Sequence, residues 1–169
     1  MRHVAPPVEC SILNISKDAD LIDTVATTFP ALMPRDPEHV ARSILGQPAW
    51  WVRGLLWLRD TIAARVGLKT TVTLRHEAEA AGSKHISFFH ILSSTAHEIV
   101  LGLEDQHLDY KTSIMLKDTS DATEIEVFVT TIVHSRSALG RVYLKLIRPF
   151  HLTIVRTNLK RAVQRAGVR

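Results

Sequence analysis

Residues 97–134 read HEIVLGLEDQHLDYKTSIMLKDTSDATEIEVFVTTIVH, and this stretch decides the fold. Three runs rich in Val, Ile, Leu and Thr predict three strands, at His97–Glu104, His107–Lys117 and Thr123–His134. The connections Glu104–Gln106 and Asp118–Asp121 are short and carry residues that favour turns. Such short connections join antiparallel neighbours, so we expect a meander.

A long helix is expected after the meander, over Ser137–Ala166, with Ser135 or Ser137 as its cap. Its apolar residues cover a wide arc, which indicates that the helix is largely buried. Pro149 should kink it, because proline removes one backbone hydrogen bond. One further strand of the meander is predicted before these three, over Ile86–Leu92, with a turn at Ser93-Ser94.

The N-terminal half is expected to form a first strand over residues 8–15 and a helix over residues 18–29. The helix prediction rests on apolar residues at positions 21, 22, 25, 26 and 29, which recur at helical spacing. Asp36 followed by Pro37 predicts a capped helix over Pro37–Leu45. Another helix is expected over Ala49–Val66 with Gly67 as its C-cap, and Lys69–Leu74 favours a strand.

These elements predict one α+β domain over residues 1–169. A curved antiparallel sheet wraps round the long, kinked C-terminal helix, and short helices follow the first strand. The length of 169 residues suits one domain. A single cysteine, Cys10, excludes an internal disulfide framework and a Cys-rich zinc site. No apolar run reaches about 18 residues, so no transmembrane segment is expected, and the N-terminus reads as a cytoplasmic start.

Element order over nearly the whole chain resembles the helix-grip architecture of START-type lipid-binding domains, the birch-pollen allergen and polyketide cyclases. Three separated motifs look like a closer relative: Pro48–Trp51 with Leu58–Asp60, Leu101–Tyr110, and Leu139–Arg156. Together they resemble an uncharacterised bacterial domain-of-unknown-function family, whose members occur alone or behind short-chain-dehydrogenase-like domains. The resemblance implies a cavity between the sheet and the long helix that holds an apolar or aromatic molecule.

Charge is placed unevenly along the chain, whose net charge is +4. The last acidic residue is Glu126, and nine basic residues but no acid lie between Phe128 and Arg169. A basic C-terminal segment can bind nucleic acid or an acidic membrane surface. The alternative is that these charges only solvate the outer face of the helix. We favour the second interpretation, because many apolar residues separate the charges.

His107 and Asp109 are the candidate catalytic residues. On a strand they point to the same face, where the carboxylate could orient the imidazole as an acid–base pair. Alternatively, they close the neighbouring turn or pair with a basic side chain. The nine histidines lack metal-ligand spacing, so no metal site is predicted, and no nucleotide motif or other cofactor signature is present.

Six residues are candidate ligand-binding residues: Trp50, Tyr110, Arg141, Tyr143, Arg148 and His151. Three tryptophans within eight residues are expected to form core and to cover an apolar cavity. Arg141 and Arg148 lie on one side of the last helix, where either could anchor a carboxylate or phosphate. His151 lies near the predicted kink, where a polar group can face a ligand or satisfy a freed backbone carbonyl.

We therefore expect a cytoplasmic protein that binds a small hydrophobic molecule between the sheet and the last helix. The alternatives are a cyclase, hydrolase or isomerase that uses the same cavity, nucleic-acid or acidic-surface binding, and homodimerisation through an apolar sheet face.

Overall fold

The computed structural model describes residues 1–31, 34–65, 84–104 and 107–167. Seven strands form one antiparallel sheet in the order β1-β2-β7-β6-β5-β4-β3. Their bounds are β1 Arg2–His3, β2 Leu21–Pro30, β3 His85–Ile86, β4 Phe89–Ser94, β5 Glu98–Glu104, β6 Leu108–Asp118 and β7 Glu124–Ser135. Within these described residues, three α-helices accompany the sheet: α1 Pro37–Leu45, α2 Trp50–Arg65 and α3 Ala138–Ala166. The α+β class and the meander of β5, β6 and β7 are confirmed.

The prediction of a helix over residues 18–29 is wrong, because Leu21–Pro30 is the strand β2. This strand pairs with β7 along its whole length, from Leu21 opposite Val133 to Pro30 opposite Glu124. Five of its ten residues are β-branched, and such side chains favour a strand over a helix. Asp18 has a positive φ of 60°, so it occupies a turn before β2 rather than a helix start.

The first strand predicted over residues 8–15 is also wrong, because Ser11–Ile15 forms a 3₁₀ helix. Cys10 and Ile12 are buried there against Val100, Met115 and Ile132 of the sheet. Apolar residues at alternate positions therefore cover a sheet face instead of joining the sheet. The carboxylate of the buried Glu98 accepts hydrogen bonds from the Ser11 amide and the Ser113 hydroxyl, which fixes this segment in place.

The helices α1 and α3 cover the other face of the sheet. Leu159 and Ala162 of α3 and Val40 and Ile44 of α1 belong to one buried cluster with residues of five strands, β2, β3, β5, β6 and β7. The clusters on the two faces mean that the central strands are buried on both sides. This arrangement confirms that the C-terminal helix covers the sheet, as expected from its length.

Both predicted N-caps of these helices are confirmed. The Asp36 carboxylate accepts hydrogen bonds from the amides of Glu38 and His39 at the start of α1. The Ser137 hydroxyl accepts one from the Gly140 amide at the start of α3. Pro149 lies inside α3, and Gly167 ends it.

Predictions in the middle of the chain have mixed outcomes. The helix expected over Ala49–Val66 is confirmed as α2, whereas Gly67 and Lys69–Leu74 lie outside the described residues. The single strand expected over Ile86–Leu92 is two strands, β3 and β4. A tight turn with Ser87 at a φ of 60° joins them, because an antiparallel hairpin needs a left-handed residue in so short a connection.

Gly140 lies where the start of α3 passes close to His107, the residue that precedes β6. A Cβ atom on this residue would come within 2.2 Å of the His107 backbone carbonyl oxygen. The same carbonyl accepts a hydrogen bond from the amide of Arg136, at 2.8 Å, in the segment between β7 and α3. The carbonyl therefore cannot move without breaking this hydrogen bond. The His107 side chain adds a second link, because its Nδ1 lies 2.8 Å from the Ser137 hydroxyl.

Two glycine-to-alanine substitutions in helices should therefore have opposite effects. Gly140→Ala should lower the free energy of unfolding by about 1–3 kcal/mol, because the new methyl group displaces backbone. Gly54→Ala in α2 meets nothing within 4 Å and should raise it by up to about 1 kcal/mol through helix propensity. Urea unfolding of both variants measures this difference, and equal effects would contradict the close approach at Gly140.

Candidate functional site

One row of polar side chains crosses the helix-covered face of the sheet. Asp23 of β2 pairs with Thr131 of β7, which pairs with Thr112 of β6. The next row toward the C-terminal end of β2 is entirely apolar and consists of Val25, Val129, Ile114 and Ile99. A polar row between apolar rows is costly to bury, so its contacts decide what it can do.

His151 of α3 lies above this row. The residue is 8% exposed. Its Nε2 atom lies 4.0 Å from Asp23 Oδ2, which is beyond hydrogen-bond distance. His151 Nε2 has no hydrogen-bond partner among the described residues. The other carboxylate oxygen of Asp23 lies 3.3 Å from His3 Nε2 of the edge strand β1. Asp23 thus stands between two histidines, one of which has an unused ring nitrogen.

Burial lowers the pKa of His151, and the nearby Asp23 carboxylate offsets only part of this effect. The imidazole is therefore neutral near pH 7, when one ring nitrogen is a donor and the other an acceptor. A neutral imidazole with a free nitrogen can bind a hydroxyl or carbonyl group, or take up a proton.

The Tyr110 hydroxyl borders the same row. It lies 3.5 Å from the Thr131 hydroxyl, which in turn lies 3.4 Å from the Thr112 hydroxyl. Burial raises the pKa of Tyr110, so its hydroxyl stays protonated and can donate a hydrogen bond. We call Asp23, Tyr110, Thr112, Thr131 and His151 the polar row cluster.

An aromatic wall adjoins this cluster. The Phe89 ring centroid lies 5.4 Å from that of Tyr110 and 4.4 Å from that of Phe88. Phe88, Phe89 and Tyr110 are each only half-buried as residues. An apolar wall beside a few polar groups is the usual composition of a site for a small organic molecule.

A second unsatisfied group lies farther along α3. Asn158 is 7% exposed, and its side-chain oxygen has no hydrogen-bond partner among the described residues. Leu144, His151 and Asn158 are spaced by seven residues and therefore lie on the same side of α3. Because Leu144 packs with Leu21 and Val133, this side faces the sheet.

Along β2 and β7, side chains of α3 pack against the sheet. Leu144 packs there with Leu21, and Leu159 and Ala162 belong to the main core cluster. The aromatic wall lies farther across the same sheet, on β4, the turn before it and β6. A cavity between the sheet and α3 stays a prediction.

His107 and Asp109 have separate partners in the structure. His107 Nδ1 contacts the Ser137 hydroxyl, whereas Asp109 Oδ2 accepts hydrogen bonds from Lys111, at 3.1 Å, and Arg136, at 3.5 Å. The contacts of Asp109 agree with the alternative interpretation from the sequence, in which it pairs with basic side chains. A catalytic role for the pair stays a prediction.

Arg141 and Arg148 line a cleft of about 110 Å³ together with Lys145, Leu144 and Asp20. The Asp20 carboxylate accepts hydrogen bonds from the Ser135 amide and hydroxyl, which lower the pKa of Asp20 and keep it ionised. Three cations thus surround one carboxylate whose oxygen Oδ2 is already bonded. The cleft lies on the flank of α3 and is formed by residues other than the polar row cluster.

The tryptophans do not form core as expected. Trp50 and Trp57 are 77% and 70% exposed on α2, and Trp51 is half-buried. Tyr143 lies on a half-buried flank of α3, two turns before His151. Of the six predicted ligand-binding residues, the structure therefore brings only Tyr110 and His151 into one cluster.

A larger cleft of about 310 Å³ lies at the Glu98 end of β5 and β6. Its lining includes Glu9, His97, Glu98 and Lys117. The Glu98 carboxylate holds the 3₁₀ segment, and Lys117 Nζ lies 2.7 Å from Glu9 Oε2. Because these charged groups already have partners, this cleft is a weaker candidate than the polar row cluster.

Sequence reasoning missed Asp23, Thr112 and Thr131. Asp23 was assigned to a helix, so nothing placed it opposite Thr131. The β-branched composition of residues 21–30 could have indicated a strand. Alternation along that strand would then have placed Leu21, Asp23 and Val25 on the same face.

Within the described ranges, no group of three or more His, Cys, Asp or Glu side chains converges as a metal site would require. None of the helices in the described part of the chain combines the length and apolar content needed to cross a membrane.

Comparisons with known proteins add a family but no function. A family model described as "Protein of unknown function (DUF2867)" matches residues 15–158. No curated protein and no solved structure matches the chain. The helix-grip resemblance therefore stays a prediction, and the site must be interpreted from its own geometry.

His151 should make the stability of the protein sensitive to acid. In the unfolded chain histidine takes up a proton near pH 6.5, whereas folded His151 does so at lower pH. The unfolded state therefore binds more protons below pH 6.5, and the free energy of unfolding should fall as the pH decreases. His151→Leu should flatten this dependence by up to about 1.4 kcal/mol per pH unit.

Urea unfolding of both proteins between about pH 5 and 7 measures this slope. Parallel pH profiles for the two proteins would show that His151 titrates as it does in the unfolded chain.

Proposed function

The chain belongs to the DUF2867 family of proteins of unknown function, and we propose that it binds one small, mainly apolar or aromatic molecule. The molecule would lie against the aromatic wall and direct a single polar group to the polar row cluster. This proposal keeps the ligand class expected from the sequence and extends the site from α3, β2 and β7 to the aromatic wall on β4 and β6. It also retains the helix-grip arrangement as the architecture of the site.

The observation that carries the proposal is the unused His151 Nε2. A buried polar atom without a partner costs about 1–3 kcal/mol, and folded proteins rarely keep one without a reason. The aromatic wall adjoins the cluster that holds this nitrogen, and a bound hydroxyl or carbonyl group would supply the missing hydrogen bond.

The charges in the cluster restrict the polar group of the ligand. Asp23 is the only acidic side chain in the cluster, and His151 is neutral at pH 7 because burial lowers its pKa. A carboxylate or phosphate on the ligand would face Asp23 without a cation to balance it. The cluster therefore favours a neutral ligand group, such as a phenol, an alcohol or a ketone.

Native mass spectrometry of freshly purified protein tests this function directly. We expect a reproducible extra mass of a few hundred daltons that disappears when the protein is denatured. Extraction into organic solvent should then yield a neutral molecule with an aromatic or apolar body. A clean protein mass, together with no binding in a screen of neutral aromatic compounds, would contradict the proposal.

Two substitutions should separate the polar and apolar parts of the site. Tyr110→Phe removes only the hydroxyl and should weaken binding of the extracted molecule about tenfold. Phe89→Ala should weaken it at least as strongly, because it removes a ring of the wall. Trp57→Phe is the matched control, since Trp57 is exposed on α2, and it should leave the affinity unchanged.

Isothermal titration of each variant measures these affinities. Equal affinities for wild type and Tyr110→Phe would place the ligand elsewhere, as would weaker binding by the Trp57 variant alone.

A second candidate function is proton-transfer catalysis at the same cluster, as in an isomerase or cyclase. The specific observation is the neutral His151 with Asp23 4.0 Å away, which could stabilise the imidazolium formed when His151 takes a proton. Incubating the extracted molecule with protein distinguishes the two functions. Catalysis predicts conversion that His151→Gln abolishes while binding persists, whereas a binding domain returns the molecule unchanged.

A further inference from the structure

The outer face of the first half of α3 combines apolar and basic side chains in an unusual way. Val142, Leu146 and Phe150 are 66%, 61% and 48% exposed and lie four residues apart along one side of the helix. Valine, leucine and phenylalanine side chains are usually buried in a core, and a cluster of them on the surface marks an interaction surface. We call these three residues the apolar stripe.

Cations occupy the flank of α3 between the apolar stripe and the sheet-facing side that carries Leu144. Arg141, Lys145 and Arg148 are all exposed and line the small cleft described above. Farther along the same helix, Arg156, Lys160 and Arg161 are exposed as well. No acidic residue follows Glu126, so α3 itself offers no carboxylate to any of these cations.

We infer that this face of α3 binds the surface of anionic phospholipid bilayers, with the apolar stripe at the acyl boundary and a headgroup phosphate in the cleft of Arg141, Lys145 and Arg148. The arrangement is that of interfacial helices, whose apolar side chains enter the headgroup region while flanking cations attract anionic lipids. The long aliphatic stems of the cations extend the apolar surface.

Charge and shape favour this occupant over others. A second copy of the same face would bring the same cations opposite each other, which opposes a symmetric dimer through α3. Nucleic acid would use the cations but would leave the apolar stripe in water. A cleft of about 110 Å³ is smaller than the roughly 300 Å³ of pockets for drug-sized molecules, and it suits a headgroup better than a whole ligand.

Asp20 also lines this cleft and carries a negative charge. Its Oδ2 already accepts hydrogen bonds from the Ser135 amide, at 2.7 Å, and the Ser135 hydroxyl, at 2.6 Å. Three cations against one partly satisfied carboxylate leave the cleft with net positive charge. This surface is separate from the polar row cluster, so the inference does not depend on the proposed ligand.

Vesicle sedimentation tests the inference with the full chain. We expect the protein to pellet with vesicles of phosphatidylcholine containing about one third phosphatidylglycerol, and not with phosphatidylcholine alone. Binding should weaken as salt rises from about 0.1 to about 0.5 M. Equal binding to both vesicles, or no binding to either, would overturn the inference.

Matched variants locate the surface. The triple variant Arg141→Gln, Lys145→Gln, Arg148→Gln and the double variant Leu146→Ser, Phe150→Ser should each weaken vesicle binding at least about tenfold. The triple variant Arg156→Gln, Lys160→Gln, Arg161→Gln changes the net charge equally and should weaken it less than about threefold. Because all these side chains are exposed, circular dichroism should show unchanged folding.

Three results would contradict the lipid assignment. Equal losses in the two triple variants would indicate diffuse charge attraction rather than a defined face. Tighter binding of duplex DNA than of anionic vesicles at the same salt would assign the cations to nucleic acid. Thermal stabilisation by inorganic phosphate without any vesicle binding would assign the cleft to a soluble anion.

Discussion

The pairing of β2 with β7 is the constraint on which the rest of the structure depends. It joins residues as far apart in sequence as Thr24 and Thr130, whose hydroxyls lie 3.1 Å apart in the interior. Without β2 in this position, α3 would lack the strand that Leu144 and His151 contact. Contacts over so long a sequence separation carry a high cost in loop-closure entropy and slow the folding of the chain.

The same pairing places an acidic side chain, Asp23, in the polar row between the sheet and α3. Asp23 could be exchanged for an apolar residue of similar shape at little cost to stability, since buried charges seldom add net stability. Asp23 lies between His3 and His151, and the proposed function assigns it to the ligand site. The outer face of α3 has a different relation to the fold, because its exposed apolar side chains contribute nothing to the core.

Local patterns predicted much of this fold. The meander and α3 were predicted because strand composition, turn residues and the Ser137 cap are all short-range signals. β2 was not, because it has buried residues on both faces: Leu21 and Val25 point to the helices, and Thr24 and Ala26 to the other side. Burial on both sides removes the alternation that identifies a strand, and the remaining apolar positions also fit a helix.

The site was predicted only in part for a related reason. Tyr110 and His151 were identified from their chemistry and their place on predicted elements. Their neighbours Thr112, Thr131 and Asp23 depend on strand register, which is set by tertiary pairing rather than by local sequence. The tryptophans were assigned to the core by residue type, whereas Trp50 and Trp57 lie on the exposed side of α2. That all residues 1–169 form one domain stays a prediction.

The N-terminal segment that covers the outer sheet face has one more consequence. Cys10 is the only thiol of the chain and is 3% exposed beneath this segment, where burial also raises its pKa. A thiol reagent can therefore react with the native protein only when the segment detaches from the sheet. The rate at which Cys10 is modified therefore measures how often the segment opens. The hydrogen bond from the Ser11 amide to the Glu98 carboxylate opposes this opening.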